Sequence, residues 1–357
     1  MTMGTPELGL IEGRFGRLWS ADERGHVVRT LGDAGYGFYH YAPKADRALR
    51  RDWRRAHDAT SSDALARLAA ECRANGMRFG IGLTPVGVTD GFDAATRDDL
   101  ARRIADLDAI GIDDLAILFD DLRGDRPDLA ERQAEIVTFC AERTRATRLY
   151  TCPTYYSDDP ILDVAFGQRP ADYLHDFGRR LDPAIQVYWT GEEVCSAAIG
   201  AGHLAAVADT LGRRVCLWDN YPVNDGARMS RFLHLRAFTG RDAAIADHVS
   251  GHAINPPLQA HLGCIPALTL PMVYAQGPGY AYGAAFATVA QRLLGEPFAR
   301  MLQQDLGALQ DTGHDRLGSR AARLRARYAA IDHPAAREIV RWVDGHDLMT
   351  DDEVKTQ

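Results

Sequence analysis

The sequence predicts an α/β fold, a (β/α)8 TIM barrel with a short C-terminal helical extension. Eight short runs rich in β-branched, aromatic and aliphatic residues recur along the chain, and segments with helical spacing of apolar residues separate them. Alternating strands and helices favour a parallel sheet, and eight repeats favour its closure into a barrel. No GxGxxG sequence follows the first run, which disfavours a dinucleotide-binding sheet. The predicted strands are residues 8–12, 36–41, 78–84, 114–120, 148–152, 186–190, 215–219 and 252–255.

The segments between and after these strands read as helices. Residues 61–75 and 93–110 carry leucine and isoleucine at three- and four-residue intervals, the period of one helix face. After residue 284 the chain becomes a helical, Ala- and Arg-rich tail, which we interpret as the closing helix of the barrel followed by a small extension. We therefore expect a barrel domain over residues 1–284 and a helical extension over residues 285–357. Predicted helix breaks in the tail are residues 295–297, 313 and 333–334.

Composition excludes several classes of protein. The 357 residues are 46% hydrophobic and 25% charged with a net charge of -8, typical of a soluble globular protein. No apolar run approaches the ~20 residues of a membrane span, and residues 1–9 lack the basic and apolar stretches of a secretion signal. Basic residues form no stripe, which disfavours nucleic-acid binding. We expect a cytoplasmic protein with no membrane or nucleic-acid partner.

Metal and disulfide chemistry are not indicated. The six cysteines form no CxxC pair, so we expect buried, reduced thiols. His40, His252 and His261 are dispersed, and we interpret them as structural residues. The sequence therefore predicts no metal and no cofactor. Almost all basic residues are arginine; the only lysines are Lys44 and Lys355.

The strand ends carry the polar residues. In a (β/α)8 barrel the chemistry lies at the carboxyl ends of the strands. There, tryptophan can offer an apolar face to a sugar ring while aspartate and asparagine satisfy its hydroxyls, which predicts a site for a polyhydroxylated ligand. The strand-end sequences are Glu12-Gly13, Tyr41-Ala42-Pro43-Lys44, Phe119-Asp120-Asp121, Cys152-Pro153-Thr154-Tyr155-Tyr156, Trp189-Thr190-Gly191, Trp218-Asp219-Asn220 and Asn255-Pro256-Pro257.

The pair Asp120-Asp121 is the most informative of these ends. Adjacent carboxylates in one pocket repel each other, so we expect one to hold a proton while the other stays ionised, which supplies an acid and a base. Taken alone, the pair could be a helix N-cap, a metal ligand pair or a solvated turn. The convergence of polar strand ends favours a catalytic role.

Together with Phe15-Gly16, Trp19-Ser20, Val194 and Asn224-Asp225, these motifs resemble, in order over about residues 8–260, the catalytic domain of glycoside hydrolase family 84. This is the O-GlcNAcase and β-N-acetylglucosaminidase fold. The resemblance implies a retaining glycoside hydrolase that removes terminal β-linked N-acetylglucosamine. In substrate-assisted enzymes of this kind the 2-acetamido oxygen of the sugar attacks the anomeric carbon, which gives an oxazoline intermediate.

The resemblance also implies a role for each matched residue. Asp120 would accept the acetamido N–H, and Asp121 would be the general acid and later the base that activates water. Tyr156 resembles the tyrosine that hydrogen-bonds near the acetamido oxygen. The residues that resemble the acetyl-pocket walls are Thr190, Val194 and Trp218. Those that resemble contacts to the ring hydroxyls are Gly13 through its carbonyl, Lys44, Asn220, Asp225 and Asn255.

Structural alternatives stay open at four of these positions. Trp189 and Trp218 could belong to the barrel core, Asp225 could cap a helix over residues 226–235, and Asn255 could simply end a strand.

Two departures from the family pattern fall where the leaving group would lie. Phe15 stands where the family commonly has a tyrosine, and Gly226 follows Asp225 where an aromatic residue is frequent. We therefore expect the same sugar with a different leaving group, and as substrate an N-acetylglucosamine-bearing glycoside or glycoprotein.

One alternative is hydrolysis of another N-acetylhexosamine conjugate, such as a hyaluronan-type oligosaccharide or a metabolite glycoside. Another is a sugar-binding barrel without turnover, although a binder gains little from a carboxylate pair. The oligomeric state is left open.

Overall fold

A computed structural model describes residues 5–357 and shows a closed barrel of eight parallel strands. Each strand pairs with the next along the chain, and the last pairs with the first. The predicted (β/α)8 barrel is therefore confirmed. The strands are β1 (Glu7–Glu12), β2 (Phe38–Tyr41), β3 (Arg78–Leu83), β4 (Asp114–Leu118), β5 (Arg148–Cys152), β6 (Gln186–Trp189), β7 (Val215–Asp219) and β8 (Val249–Ile254).

Helices surround the barrel and continue beyond it. Several begin at a polar cap: Ser20 and Glu23 form a capping box at the first helix, and Asp58 and Asp93 cap the next two. Among the described residues, no helix combines the length and apolar character needed to span a bilayer. The helices are α1 (Ala21–Gly32), α2 (Ala59–Ala74), α3 (Ala94–Ile110), α4 (Leu129–Ala141), α5 (Ile161–Phe166), α6 (Tyr173–Arg180), α7 (Ala201–Leu211), α8 (Gly226–Met229), α9 (Ala260–Gln276), α10 (Tyr282–Leu294), α11 (Glu296–Leu306), α12 (Arg320–Ala329), α13 (Pro334–Val343) and α14 (Asp351–Thr356).

The barrel interior is filled by large side chains that pack against glycine on neighbouring strands. A Cβ atom at Gly9 of β1 would lie 2.1 Å from the ring of Phe38 on β2, and one at Gly80 of β3 would lie 2.6 Å from His40. Small residues therefore leave room for rings in the same layer. His40 is fixed between Asp114 and the hydroxyl of Tyr188, as a structural histidine is expected to be.

β5 and β7 have the predicted limits, and the other six strands differ from the predicted ones by one to three residues at one or both ends. β2 begins at Phe38 because Tyr36 still donates its N–H to Leu31 and closes the turn after α1. β4 ends at Leu118, two residues before the predicted end at Asp120, because the chain turns at the aspartate pair. β8 starts at Val249, since the ladder with β7 reaches back to that residue.

The tail is helical, with breaks at Gly295, Gly313 and His333 as predicted. The closing helix is not part of it, however. α9 follows β8 directly and packs against α1, so the interpretation of the tail as containing the closing helix was wrong. The predicted boundary between residues 284 and 285 lies inside α10, and the division into two domains stays a prediction.

The tail is joined to the barrel by buried polar contacts. Both carboxylate oxygens of Glu338 on α13 accept N–H groups from the first turn of α9, those of His261 and Leu262. The indole N–H of Trp342 donates to the carbonyl of Ser230. These contacts fix the tail against the carboxyl-end face of the barrel.

The helix predicted over residues 226–235 is wrong in its length, because α8 ends at Met229. Beyond it the backbone bonds to the tail instead of continuing a helical turn. Leu233 donates its N–H to the carbonyl of Leu309, and the N–H groups of Leu235 and Arg236 donate to the Gln310 side chain.

Candidate active site

The aspartate pair follows β4, where the chain leaves the barrel. Asp121 has a φ of 63°, in the left-handed region that aspartate tolerates better than most residues. Successive side chains of an extended strand point to opposite faces, whereas this turn lets Asp120 and Asp121 line one cavity. Backbone strain of this kind costs about 1–3 kcal/mol and is concentrated at functional sites.

Lys44 binds the pair from the loop after β2. Its ammonium group makes a short ion pair with Oδ2 of Asp120 and lies 3.5 Å from Oδ2 of Asp121. Its side chain is only 3% exposed, so this buried charge interacts strongly with both carboxyl groups. The sequence analysis expected Lys44 to contact a ring hydroxyl and did not predict its ion pair with Asp120.

Asp120 carries an unusual acceptor atom. Oδ2 is used by Lys44, while Oδ1 is buried and has no hydrogen-bond partner anywhere in residues 5–357. Buried polar atoms are nearly always hydrogen-bonded, so an unpaired carboxylate oxygen at a cavity wall indicates an acceptor for a ligand donor.

Tyr156, from the loop after β5, contacts the Asp121 carboxylate oxygen that Lys44 does not approach. Its hydroxyl donates to Oδ1 of Asp121 over 3.5 Å. Burial raises the pKa of Tyr156, and the negative charges of Asp121 and Asp120 add to that shift, so the phenol stays protonated as a donor. The backbone carbonyl of Tyr156 accepts the N–H of Thr190, which joins the loops after β5 and β6.

Trp218, Asn220 and Asn255 form a connected wall. The Trp218 indole N–H donates to Oδ1 of Asn220 over 3.1 Å, and the Asn255 amide donates to the same oxygen over 2.9 Å. The Asn220 amide in turn donates to the carbonyl of Val194. Oδ1 of Asn255 accepts the N–H of Gly13 over 3.3 Å, so Asn255 does more than end a strand.

Asp225 is buried and bonded to the loop after β1. Its Oδ2 accepts the N–H of Phe15 over 2.8 Å, and within the described chain it makes no capping bond to α8. The cap alternative is therefore not supported. Burial raises the pKa of Asp225, although its bond with Phe15 and the charge of Arg14 oppose the shift.

All eleven predicted site residues line one cavity of about 170 Å³ at the carboxyl ends of the strands. That volume lies below the roughly 300–1,000 Å³ of sites for drug-sized ligands, so it suits one sugar residue. Trp218 is part of this wall, whereas Trp189 lies in the barrel core and donates its indole N–H to His203.

Four further residues line the same cavity: Phe15, Cys152, Cys195 and Val223. Cys152 occurs in a strand-end motif, but the sequence analysis gave it no binding role, whereas Phe15 was expected on the leaving-group side of the site. Cys195 adjoins Val194, and Val223 lies between two predicted residues, so proximity in sequence was the one available signal for them. Gly226, the second departure from the family pattern, donates its N–H to the Met349 sulfur in the tail.

A larger groove of about 750 Å³ lies between α1 and α2. Charged side chains in it bind one another: Arg29 pairs with Glu71, and Arg47 pairs with Asp52. It contains none of the predicted site residues, so the smaller cavity is the candidate active site.

The fold and the site define a class. A (β/α)8 barrel with a carboxylate pair, an aromatic wall and amide groups around a sugar-sized cavity has the architecture of a glycoside hydrolase. A sequence model described as beta-N-acetylglucosaminidase matches residues 8–307. The chain belongs to this family, glycoside hydrolase family 84, as the motif resemblance predicts.

Known relatives agree with this membership. The chain is 27% identical over 278 residues to the Protein O-GlcNAcase of Rattus norvegicus and to that of Mus musculus. The alignment covers 74% of this chain but 30% of each relative, so this chain corresponds to less than a third of their length. A solved structure, a mutant of the Thermobaculum terrenum O-GlcNAc hydrolase, matches with a TM-score of 0.78 at 26% identity. That match covers 95% of this chain and 81% of the other.

Proposed function

We propose that this protein removes terminal β-linked N-acetylglucosamine from an O-linked glycoside or glycoprotein, with retention of configuration, by substrate-assisted catalysis. The observation that carries the proposal is the unpaired, buried Oδ1 of Asp120 at the cavity wall. An acetamido N–H is a donor of the right kind for this oxygen. A sugar with a 2-hydroxyl in place of the acetamide would lack both that donor and the nucleophile.

The surrounding groups support a bound N-acetylhexosamine. Trp218 offers an apolar wall for the acetyl methyl or the ring face, and Thr190 and Val194 line the same cavity. Asn220, Asn255 and Asp225 supply polar groups for the ring hydroxyls. The hydrogen bond that Asn255 donates to Asn220 already orients both side chains, so they lose little freedom when the sugar binds.

In the first step the acetamido oxygen gives an electron pair to the anomeric carbon. The bond from that carbon to the leaving-group oxygen breaks, and its electron pair goes to the oxygen, which takes the proton of Asp121. Asp120 accepts the acetamido N–H and stabilises the positive charge that develops on the forming oxazoline. The ammonium group of Lys44 pairs with Asp120, so it supports the negative charge that Asp120 carries in this proposal.

The second step reverses the roles. Asp121, now a carboxylate, removes a proton from water while the water oxygen attacks the anomeric carbon. The bond from that carbon to the oxazoline oxygen breaks, and its electron pair restores the acetamide. The sugar leaves with its original anomeric configuration.

Hydrolysis of a chromogenic aryl β-N-acetylglucosaminide tests the activity. We expect release of the aryl group, with the β-anomer as the first product seen by NMR. Binding of the sugar without release from about pH 4 to about pH 8 would refute the hydrolase assignment.

Two variants test the roles of the pair. Asp121→Asn should lose much less activity on a leaving group that needs no protonation than on an alkyl glycoside. Asp120→Asn should impair every substrate with an acetamido group, whatever its leaving group. Equal dependence of both variants on leaving-group acidity would contradict the assignment.

Fluorination of the acetamido methyl tests the nucleophile. Each fluorine withdraws electrons from the carbonyl oxygen, so kcat/KM should fall stepwise from the acetyl to the trifluoroacetyl substrate. Similar rates along this series would point to a protein nucleophile instead.

A further inference from the structure

Arg50 is a buried arginine beside the aspartate pair that the sequence analysis did not identify. It follows the one-turn 3-10 helix Arg47–Leu49 in the segment after Lys44. Its side chain is only 9% exposed, and Nη1 lies 4.0 Å from Oδ2 of Asp121. Its guanidinium carbon is 5.6 Å from the centre of the Phe15 ring, which lines the cavity. Arg50 therefore lies close to both Asp121 and the Phe15 ring.

The hydrogen bonding of Arg50 is incomplete. Nε and Nη1 are both buried and have no hydrogen-bond partner among the described residues. A buried unpaired donor typically costs about 1–3 kcal/mol, more for a charged group. Oδ2 of Asp121 lies 4.0 Å from Nη1, beyond hydrogen-bond distance.

We propose that Arg50 is a positioning residue that acts through Asp121, by pairing with its carboxylate once the proton has passed to the leaving group. This inference rests on the proposed role of Asp121 as the general acid. A neutral carboxyl group attracts a guanidinium only weakly, whereas a carboxylate at the same distance attracts it strongly. As the proton leaves, negative charge appears on Asp121, and the unpaired N–H of Arg50 gains an acceptor.

Such an interaction accelerates the reaction because it is stronger in the transition state than in the ground state. Phe15 supports the arrangement, because its ring face attracts the guanidinium and limits its motion. The pairing also keeps Asp121 oriented as a carboxylate for the second step, when it must accept a proton from water.

Several charged or titratable groups surround Asp121. Arg50 differs from Lys44, the other cation, because Lys44 already has Asp120 as its close partner. Removal of Arg50 should therefore change the acid strength of Asp121 without breaking the ion pair of Asp120. The charged or titratable groups that face Asp121 are Lys44, Arg50, Tyr156, Asp120, Cys152 and Asp225.

The test is the pH profile of kcat/KM for parent and Arg50→Met enzymes. Without the guanidinium, Asp121 is a weaker acid, so the basic limb should move up by about one pH unit. Activity on an alkyl glycoside should fall by about tenfold or more, while an activated aryl glycoside should be affected much less. Arg50→Lys keeps the charge and should return the limb towards that of the parent.

Arg54→Met is the matched control. Arg54 is half exposed, stacks on Trp53 and pairs with Asp99, so its loss should leave the profile unchanged. Arg50→Gln, which is neutral but still a donor, provides a second variant should Arg50→Met fail to fold, and its basic limb should also rise.

The outcomes separate this inference from the proposed function. Suppose that the parent hydrolyses the substrates and that Asp121→Asn behaves as a general-acid variant. If the basic limbs of the Arg50→Met and Arg50→Gln pH profiles then coincide with that of the parent, only the role of Arg50 is overturned. If the parent does not turn over, the proposed function fails and the role of Arg50 fails with it.

Discussion

Replacement of Gly13 by alanine should displace the indole of Trp218 and disable the sugar site. A Cβ atom at residue 13 would lie 2.2 Å from Cζ2 and 2.6 Å from Cη2 of that ring. Ordinary contact begins near 3.4 Å, so the strand end and the ring must separate by about 1.2 Å. The ring has little space to retreat, because its edge packs against Tyr188 and its N–H is bonded to Asn220.

The expected loss follows from that displacement. A misplacement of about 1 Å in a positioned site costs on the order of 100-fold in rate, or about 2.7 kcal/mol of transition-state stabilisation. Overpacking should also lower the free energy of unfolding by about 1–3 kcal/mol. Steady-state hydrolysis of the aryl glycoside gives kcat/KM, and urea denaturation gives the stability.

Two comparisons make the test specific. Gly202 in α7 has open space around its Cβ position, so Gly202→Ala should keep full activity and gain about 0.5–1 kcal/mol of stability. In a Trp218→Phe background the benzene part of the indole is gone, so adding Gly13→Ala should cost much less than it does alone. A Gly13→Ala enzyme within about twofold of the parent in kcat/KM would refute the reasoning.

Three further predictions concern stability. Arg241→Met should cost about 3–5 kcal/mol in chemical denaturation, because Asp219 keeps a buried charge without its arginine; a loss below about 1 kcal/mol would contradict this. Burial raises the pKa of Glu338 to about 8, partly opposed by two backbone N–H groups, so the folded protein retains a proton that the unfolded chain releases. The free energy of unfolding should therefore fall as pH rises from about 4.5 towards 8, by at most about 1.4 kcal/mol per pH unit. The urea midpoint plotted against pH should have a flatter slope for Glu338→Gln than for the parent. Equal slopes for the two proteins would contradict this linkage. Met349→Ala should lower stability by about 2 kcal/mol in thermal melts, since the side chain is buried and its sulfur accepts the Gly226 N–H, while Met349→Leu should stay closer to the parent.

The barrel was predictable because its signal is repeated. Eight apolar runs with helices between them leave few alternatives, and the rule that chemistry lies at the strand ends then indicates where site residues should be sought. Asp120, Tyr156, Trp218 and Asn255 all lie within four residues of a strand end, so sequence position alone indicated their convergence.

Residues placed by loops and by the tail were not predictable in the same way. Arg50 lies six residues beyond Lys44, and its approach to Asp121 depends on the 3-10 turn between them. The short α8 reflects hydrogen bonds to Leu309 and Gln310, far along the chain. Local patterns contain no information about such distant partners, and helix propensity after Asp225 is overridden by them.

The scarcity of lysine has a practical consequence for spectroscopy. The side chain of Lys44 is 3% exposed and ion-paired, whereas that of Lys355 on α14 is 74% exposed. Amine-reactive dyes should therefore attach at Lys355, apart from the α-amino group of the chain. Two residues further on, the Gln357 side chain accepts the N–H of Gly16, next to Phe15 at the cavity. A fluorophore on Lys355 would lie on the segment that contacts the Phe15 loop. We expect its emission to change when a leaving group occupies that side of the site.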